Sequence, residues 1–129
     1  MNYIGTTINE SSVITATAGA DLTNAAFLAV KFDAEGNVVL CGDGENAIGI
    51  LTAETPEAVA KGDGVTVQIK NVGMAKAGAA VTVGAEVAVD AAGKLIPAVA
   101  SKFIVGIALS AAAADGVFNV DICKCGYKA

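Results

Sequence analysis

The sequence contains no histidine, no arginine and no tryptophan. Without histidine the commonest general base and metal ligand is missing, so neither a Ser-His-Asp nor a Cys-His mechanism can be assembled within one chain. Without arginine the usual reader of phosphates and base edges is missing, and 13 acids against 8 lysines leave a net charge of −5. That balance argues against nucleic acid as a partner, and the lack of a polybasic segment argues against a membrane surface. No apolar run approaches the roughly 20 residues of a spanning helix. The first residues, MNYIGTTINESS, have neither the basic start nor the apolar run of a secretory signal. The protein is therefore expected to stay in the cytoplasm of the cell that makes it, or to join an assembly there.

Prolines number two, Pro56 and Pro97, and no Pro/Ser-rich linker divides the chain. At 129 residues it is expected to be one domain. The three cysteines are Cys41, Cys123 and Cys125. A closed zinc site wants four ligands, and there is no histidine to complete one. In a reducing compartment three free thiols are expected, with a bridge from Cys41 to one of the other two left open. No metal and no cofactor are expected. Aromatics are scarce, with two Tyr and four Phe, and 27 residues are Ala. The core is therefore expected to be thin layers of Val, Ile, Leu and Ala. A buried Val or Leu contributes about 1.5–3 kcal/mol and an Ala much less, so such a fold gains from oligomerising.

The sequence is rich in repetition. VKFDAEGNVVL, AIGIL and GDGVTVQI in the first half match VAVDAAGKLIP, IVGIA and DGVFNVDI in the second. Asp33, Gly36 and Gly49 pair with Asp90, Gly93 and Gly106 at one offset of 57 residues. Asp and Gly at these places predict tight hairpin turns, and the glycines within AIGIL and IVGIA predict a bulge or a close backbone approach. Alternation in Val65, Val67 and Ile69, and in Phe118, Val120 and Ile122, predicts half-buried strands. Thr55, Pro56 and Glu57 suit a helix start, predicting a turn or two of helix ended by Gly62. The expected fold is all-β: a small β-barrel or β-sandwich built from a duplicated β-unit, with short helical turns and an extended N-terminal arm. Residues 1–20 are expected to be the arm, and residues 21–129 a single β domain. Its two related units span about 30–69 and 87–122.

Reactive constellations are few. Asp43 with Glu45, or Asp63, would supply carboxylates for acid–base work, but all are set among glycines, where solvated turn acids are expected. Asp43-Gly44-Glu45-Asn46 clusters oxygens suited to calcium but lacks the acidic spacing of an EF-hand loop. Met74-Ala75-Lys76 has the strand-and-turn rhythm of a lipoyl or biotinyl carrier without its flanking motif. No enzyme is expected.

The ordered series AIGIL (47–51), GDGVTVQIKNVGMAKAGAAVTVGAEVAVDAAGKL (62–95) and FIVGIALSAAAADGVFNVDI (103–122) resembles the small Ala/Gly/Val-rich capsid cement or head decoration proteins of tailed phages. The resemblance covers roughly residues 30–122. It implies a virion structural protein that clips onto the outside of an assembled capsid, usually as a homotrimer at three-fold or quasi-three-fold positions. Its partners would be the major capsid protein and itself. The polar segment holding Asn2, Tyr3, Ile4, Thr6, Thr7, Ile8 and Asn9 is then the candidate capsid contact, since an extended arm can add a strand to a sheet edge. An arm that completes the protein's own sheet is the alternative. A self-assembling shell or tube protein, or a non-enzymatic ligand-binding β-sandwich, are the competing functions. A carbohydrate-binding sandwich would want more exposed aromatics than this chain has.

Overall fold

A computed structural model describes residues 11–129. Fourteen strands follow in order: β1 (Val13–Thr17), β2 (Leu22–Thr23), β3 (Ala29–Phe32), β4 (Val38–Leu40), β5 (Gly49–Leu51), β6 (Ala58–Val59) and β7 (Gly64–Gln68), then β8 (Asn71–Lys76), β9 (Glu86–Val89), β10 (Leu95–Pro97), β11 (Lys102–Ile104), β12 (Gly106–Ala108), β13 (Val117–Ile122) and β14 (Gly126–Lys128). Two five-stranded sheets result, ordered β1-β7-β5-β3-β4 and β10-β9-β12-β13-β8. All pairings between named strands are antiparallel.

The two sheets are the same sheet built twice. Strand β3 corresponds to β9, β4 to β10, β5 to β12, β7 to β13 and β1 to β8. In each, the first strand touches the far edge strand at one parallel bridge, Ala18 to Val38 and Ala77 to Leu95. The amide of Gly19 donates to the Val38 carbonyl at 2.8 Å, and that of Gly78 to the Leu95 carbonyl at 2.9 Å. Each copy therefore starts one strand earlier than the repeat seen in sequence. Residues 13–17, expected to lie in the arm, form an outer strand of the first sheet, in register Val13 to Gln68 through Thr17 to Gly64.

One expectation fails. Among the described residues no helix forms, and the segment after Thr55 instead gives β6, with Val59 opposite Leu22 and Ala58 opposite Thr23. A helix of one or two turns carries the whole nucleation cost with few hydrogen bonds in return. Here Val59 is buried, and the Glu57 carbonyl accepts the Asn24 amide at 2.8 Å, so tertiary pairing prevails over local propensity. The second copy makes the equivalent contact as a single bridge, Val81 to Ala112.

The core is as thin as composition predicts. Phe118, Ile50, Leu51 and Leu95 are its largest fully buried side chains, and the rest of that set are valines. It divides into two clusters. One gathers Ala18, Leu22, Val30, Val38, Val65 and Val67 of the first copy. The other gathers Val87, Val89, Leu95, Phe118 and Val120 of the second, and also takes in Ala29, Cys41, Ala47 and Ile50 from the first, which joins the copies.

Candidate functional site

The repeat residues picked from sequence all occupy matched structural positions. Asp33 Oδ1 accepts the amides of Glu35 and Asn37 at 2.9 and 3.0 Å, and Asp90 Oδ1 accepts those of Ala92 and Lys94 at 2.8 and 3.0 Å. Gly36 and Gly93 follow with φ of 81° and 84°, a left-handed conformation that glycine adopts without steric cost. These residues shape hairpins and carry no chemistry. Removing the carboxylate from either turn forfeits two such bonds at about 0.5–1.5 kcal/mol each, so Asp33→Ala and Asp90→Ala should each lower stability by about 1–3 kcal/mol. Urea unfolding of the two variants beside the parent checks this, and equal losses are expected because the turns are copies.

The acidic cluster of residues 43–46 does not converge on a cation. The Asp43 carboxylate pairs with Lys102, while Glu45 pairs with Lys31 and accepts the Gly42 amide at 2.5 Å. The Lys31 ammonium, then the Gly42 amide, hold the Glu45 carboxyl below its ordinary range. Asp63 Oδ2 accepts the Ala60 amide at 3.0 Å, as a turn acid does. Lys76 ends β8, with its amide donated to the Phe27 carbonyl, and so sits within a sheet edge and not at the hairpin tip a carrier lysine needs.

The surface is more informative. An open groove of about 460 Å³ runs between the first sheet and the C-terminal strand pair, lined by Ile14, Phe32, Ile48, Ile69, Phe103 and Lys124. Lys124 bridges its floor, donating to the carbonyls of Ile48 at 3.1 Å and Ile69 at 2.8 Å. The described chain enters beside this groove, where the Ser12 carbonyl accepts the Ile69 amide at 2.9 Å. Asn2, Tyr3, Ile4, Thr6, Thr7, Ile8 and Asn9 lie outside the described residues.

Sequence reading missed a second surface. On the outward face of β8 and β13, Val72, Met74 and Val117 are exposed, and Leu109 is exposed just after β12. The equivalent places in the first copy hold Val13, Thr15, Gly64 and Thr52. Two copies that agree in turns and core thus differ at particular outward positions: Met74, Leu109 and Val117 stand in the second copy where the first has Thr15, Thr52 and Gly64, beside the polar Lys76, Asn119 and Asp121 on the same face. The signal was present in the aligned repeat, as threonine against methionine and threonine against leucine.

Many of the ionisable groups serve turns or surface ion pairs, and the fold is a duplicated β-unit. The family profile described as phage cement protein matches residues 8–123, which is most of the chain through both copies. The chain belongs to the phage cement protein family, and so is a non-enzymatic structural component of the phage virion head that associates with the capsid. Among solved structures it is similar to the head fiber gp8.5 N base of bacteriophage phi29. That match has a TM-score of 0.66 and 17% identity and covers 91% of this chain and 98% of that one, a likeness of fold. No curated protein sequence matches the chain.

Proposed function

We propose that the protein binds the outside of an assembled phage capsid as a homotrimer at three-fold or quasi-three-fold sites and stabilises the shell. Family membership over residues 8–123 carries this reading. The exposed Val72, Met74, Leu109 and Val117 of the second copy, which have no apolar counterpart at three of their four equivalent places in the first, support a protein partner on this face. Three modest contacts on one trimer add through effective concentration when their spacing fits the lattice. Residues 2–9, from Asn2 to Asn9, are the proposed capsid-contacting segment. The described residues begin at Ser11, two positions before an outer strand of the first sheet, and β-addition to such an edge costs no existing sheet bond.

Light scattering coupled to size-exclusion chromatography tests the assembly. A closed species near three times 12.7 kDa is expected. Open-ended polymer would favour a shell or tube protein instead, and a strict monomer both in solution and on capsids would overturn the trimer. Deleting residues 2–9 should weaken capsid association by about tenfold or more, as the loss of a few main-chain hydrogen bonds and one apolar side chain implies, while leaving the unfolding midpoint unchanged.

A further inference from the structure

The C-terminal segment Cys123-Lys124-Cys125 is absorbed neither by the fold nor by the proposed function. Both cysteines are exposed and free, and their sulfurs approach to 2.7 Å. The approach has a backbone cause. Strand β13 ends at Ile122, and Lys124 then takes a left-handed φ of 46°, which bends the chain and sets the flanking side chains together. That conformation is costly for a residue with a side chain and needs support. It receives three contacts: the Lys124 amide donates to the Val105 carbonyl at 2.8 Å, and its ammonium caps the Ile48 and Ile69 carbonyls. Gly126 follows at φ 92° and starts β14, which pairs with β11. The bend between the two cysteines is therefore held by Val105 of the second copy and by Ile48 and Ile69 of the first. Partial burial, then the contact with Cys125, pushes the Cys123 thiol up to about 11.

We propose that Cys123 and Cys125 form a redox-modification site that closes to an intramolecular disulfide when the virion meets an oxidising medium, with a low-molecular-weight disulfide as the oxidant. The surroundings invoked rest on the virion reading, but the chemistry does not. One cysteine, as thiolate, attacks the oxidant. Its S–S bond breaks, one thiol leaves and a mixed disulfide remains on the protein. The second cysteine attacks the protein-bound sulfur and expels the second thiol. The two protons of the protein thiols pass to the two leaving thiolates, one protein S–S bond replaces that of the oxidant, and the oxidant is reduced to two thiols. Proximity favours this second step over reaction with another chain. A ring of three residues removes little entropy from the unfolded chain, so the disulfide secures the approach to β14 without moving global stability much.

The test is a titration of the purified full chain with oxidised glutathione, read by thiol counting, intact mass and non-reducing peptide mapping. Cys41 serves as the internal control: burial raises its thiol to about 12, and it should stay unlabelled in the folded protein. The expected result is the loss of two of the three thiols, a mass lower by about two hydrogens, and a Cys123–Cys125 link. Cys123→Ser and Cys125→Ser should each retain one glutathione, the adduct that the missing thiol would have expelled. A wild-type chain that accumulates glutathione adducts, that forms covalent dimers, or that leaves both thiols unreacted would overturn the proposal. None of these readouts requires a capsid, so failure here is distinct from failure of the capsid reading.

Discussion

Gly106→Ala is expected to lose about 3 kcal/mol or more of stability, and Gly49→Ala about as much. Each glycine starts a central strand, β12 or β5, with partners on both sides. A Cβ at Gly106 would run into the backbone carbonyl oxygen of Asp121, with the Val120 side chain 3.0 Å away, and a Cβ at Gly49 would run into that of Gln68. The obstacle is main chain paired into the sheet, which cannot swing aside as a flexible side chain could. Relief would require parting β12 from β13, or β5 from β7. Against a total stability of about 5–15 kcal/mol the loss is large enough to show as a reduced yield of folded protein. Gly64→Ala is the control, since nothing lies within 4 Å of an added Cβ there. It should change stability by less than about 0.5 kcal/mol. Urea denaturation of the three variants decides it, and near-equality of the two central glycines is what a structural duplication demands.

Phe118→Ala should be comparably severe, at about 3–5 kcal/mol. Phe118 is 1% exposed and is the largest fully buried side chain of the described residues. It lies opposite Ala75 in the register of β13 with β8, and Ala77 and Ala108 belong to the same cluster. Alanines cannot extend into the space a phenyl ring leaves, so collapse is limited and the cost falls at the upper end. The first copy has Val65 at the equivalent place, and Phe118→Val should therefore cost less than Phe118→Ala. Thermal unfolding monitored by near-ultraviolet and far-ultraviolet signals checks both variants. Because the second cluster borrows Ala29, Cys41, Ala47 and Ile50 from the first copy, one concerted transition is expected.

Turns and central strands were legible because their requirements are local. A hairpin needs Asp and Gly at fixed spacing, and Asp33 with Gly36 and Asp90 with Gly93 display that need without reference to the rest of the chain. The true start of each copy was harder to read. Ala16-Thr17-Ala18-Gly19-Ala20 does match Ala75-Lys76-Ala77-Gly78-Ala79, but at an offset of 59 instead of 57, because two fewer residues separate the match from the next turn in the second copy. A search at one fixed offset passes over it. Strand β6 was illegible for another reason. Its two residues are strand only because Leu22 and Thr23 lie opposite, a pairing about 35 residues distant that no local pattern encodes. The exposed face of the second copy required knowing which side of β8 points outward, which alternation alone leaves open until the sheet is assembled.

The central proposal is that this chain binds an assembled shell through several sites at once, which favours the shell over its free subunits. Cosedimentation of the purified protein with assembled capsids of its own phage, beside unassembled major capsid protein at matched subunit concentration, tests it most directly. Saturable binding to the shell with none to free subunits is the predicted result. Equal binding to free subunits, or no binding to the shell, would contradict the account.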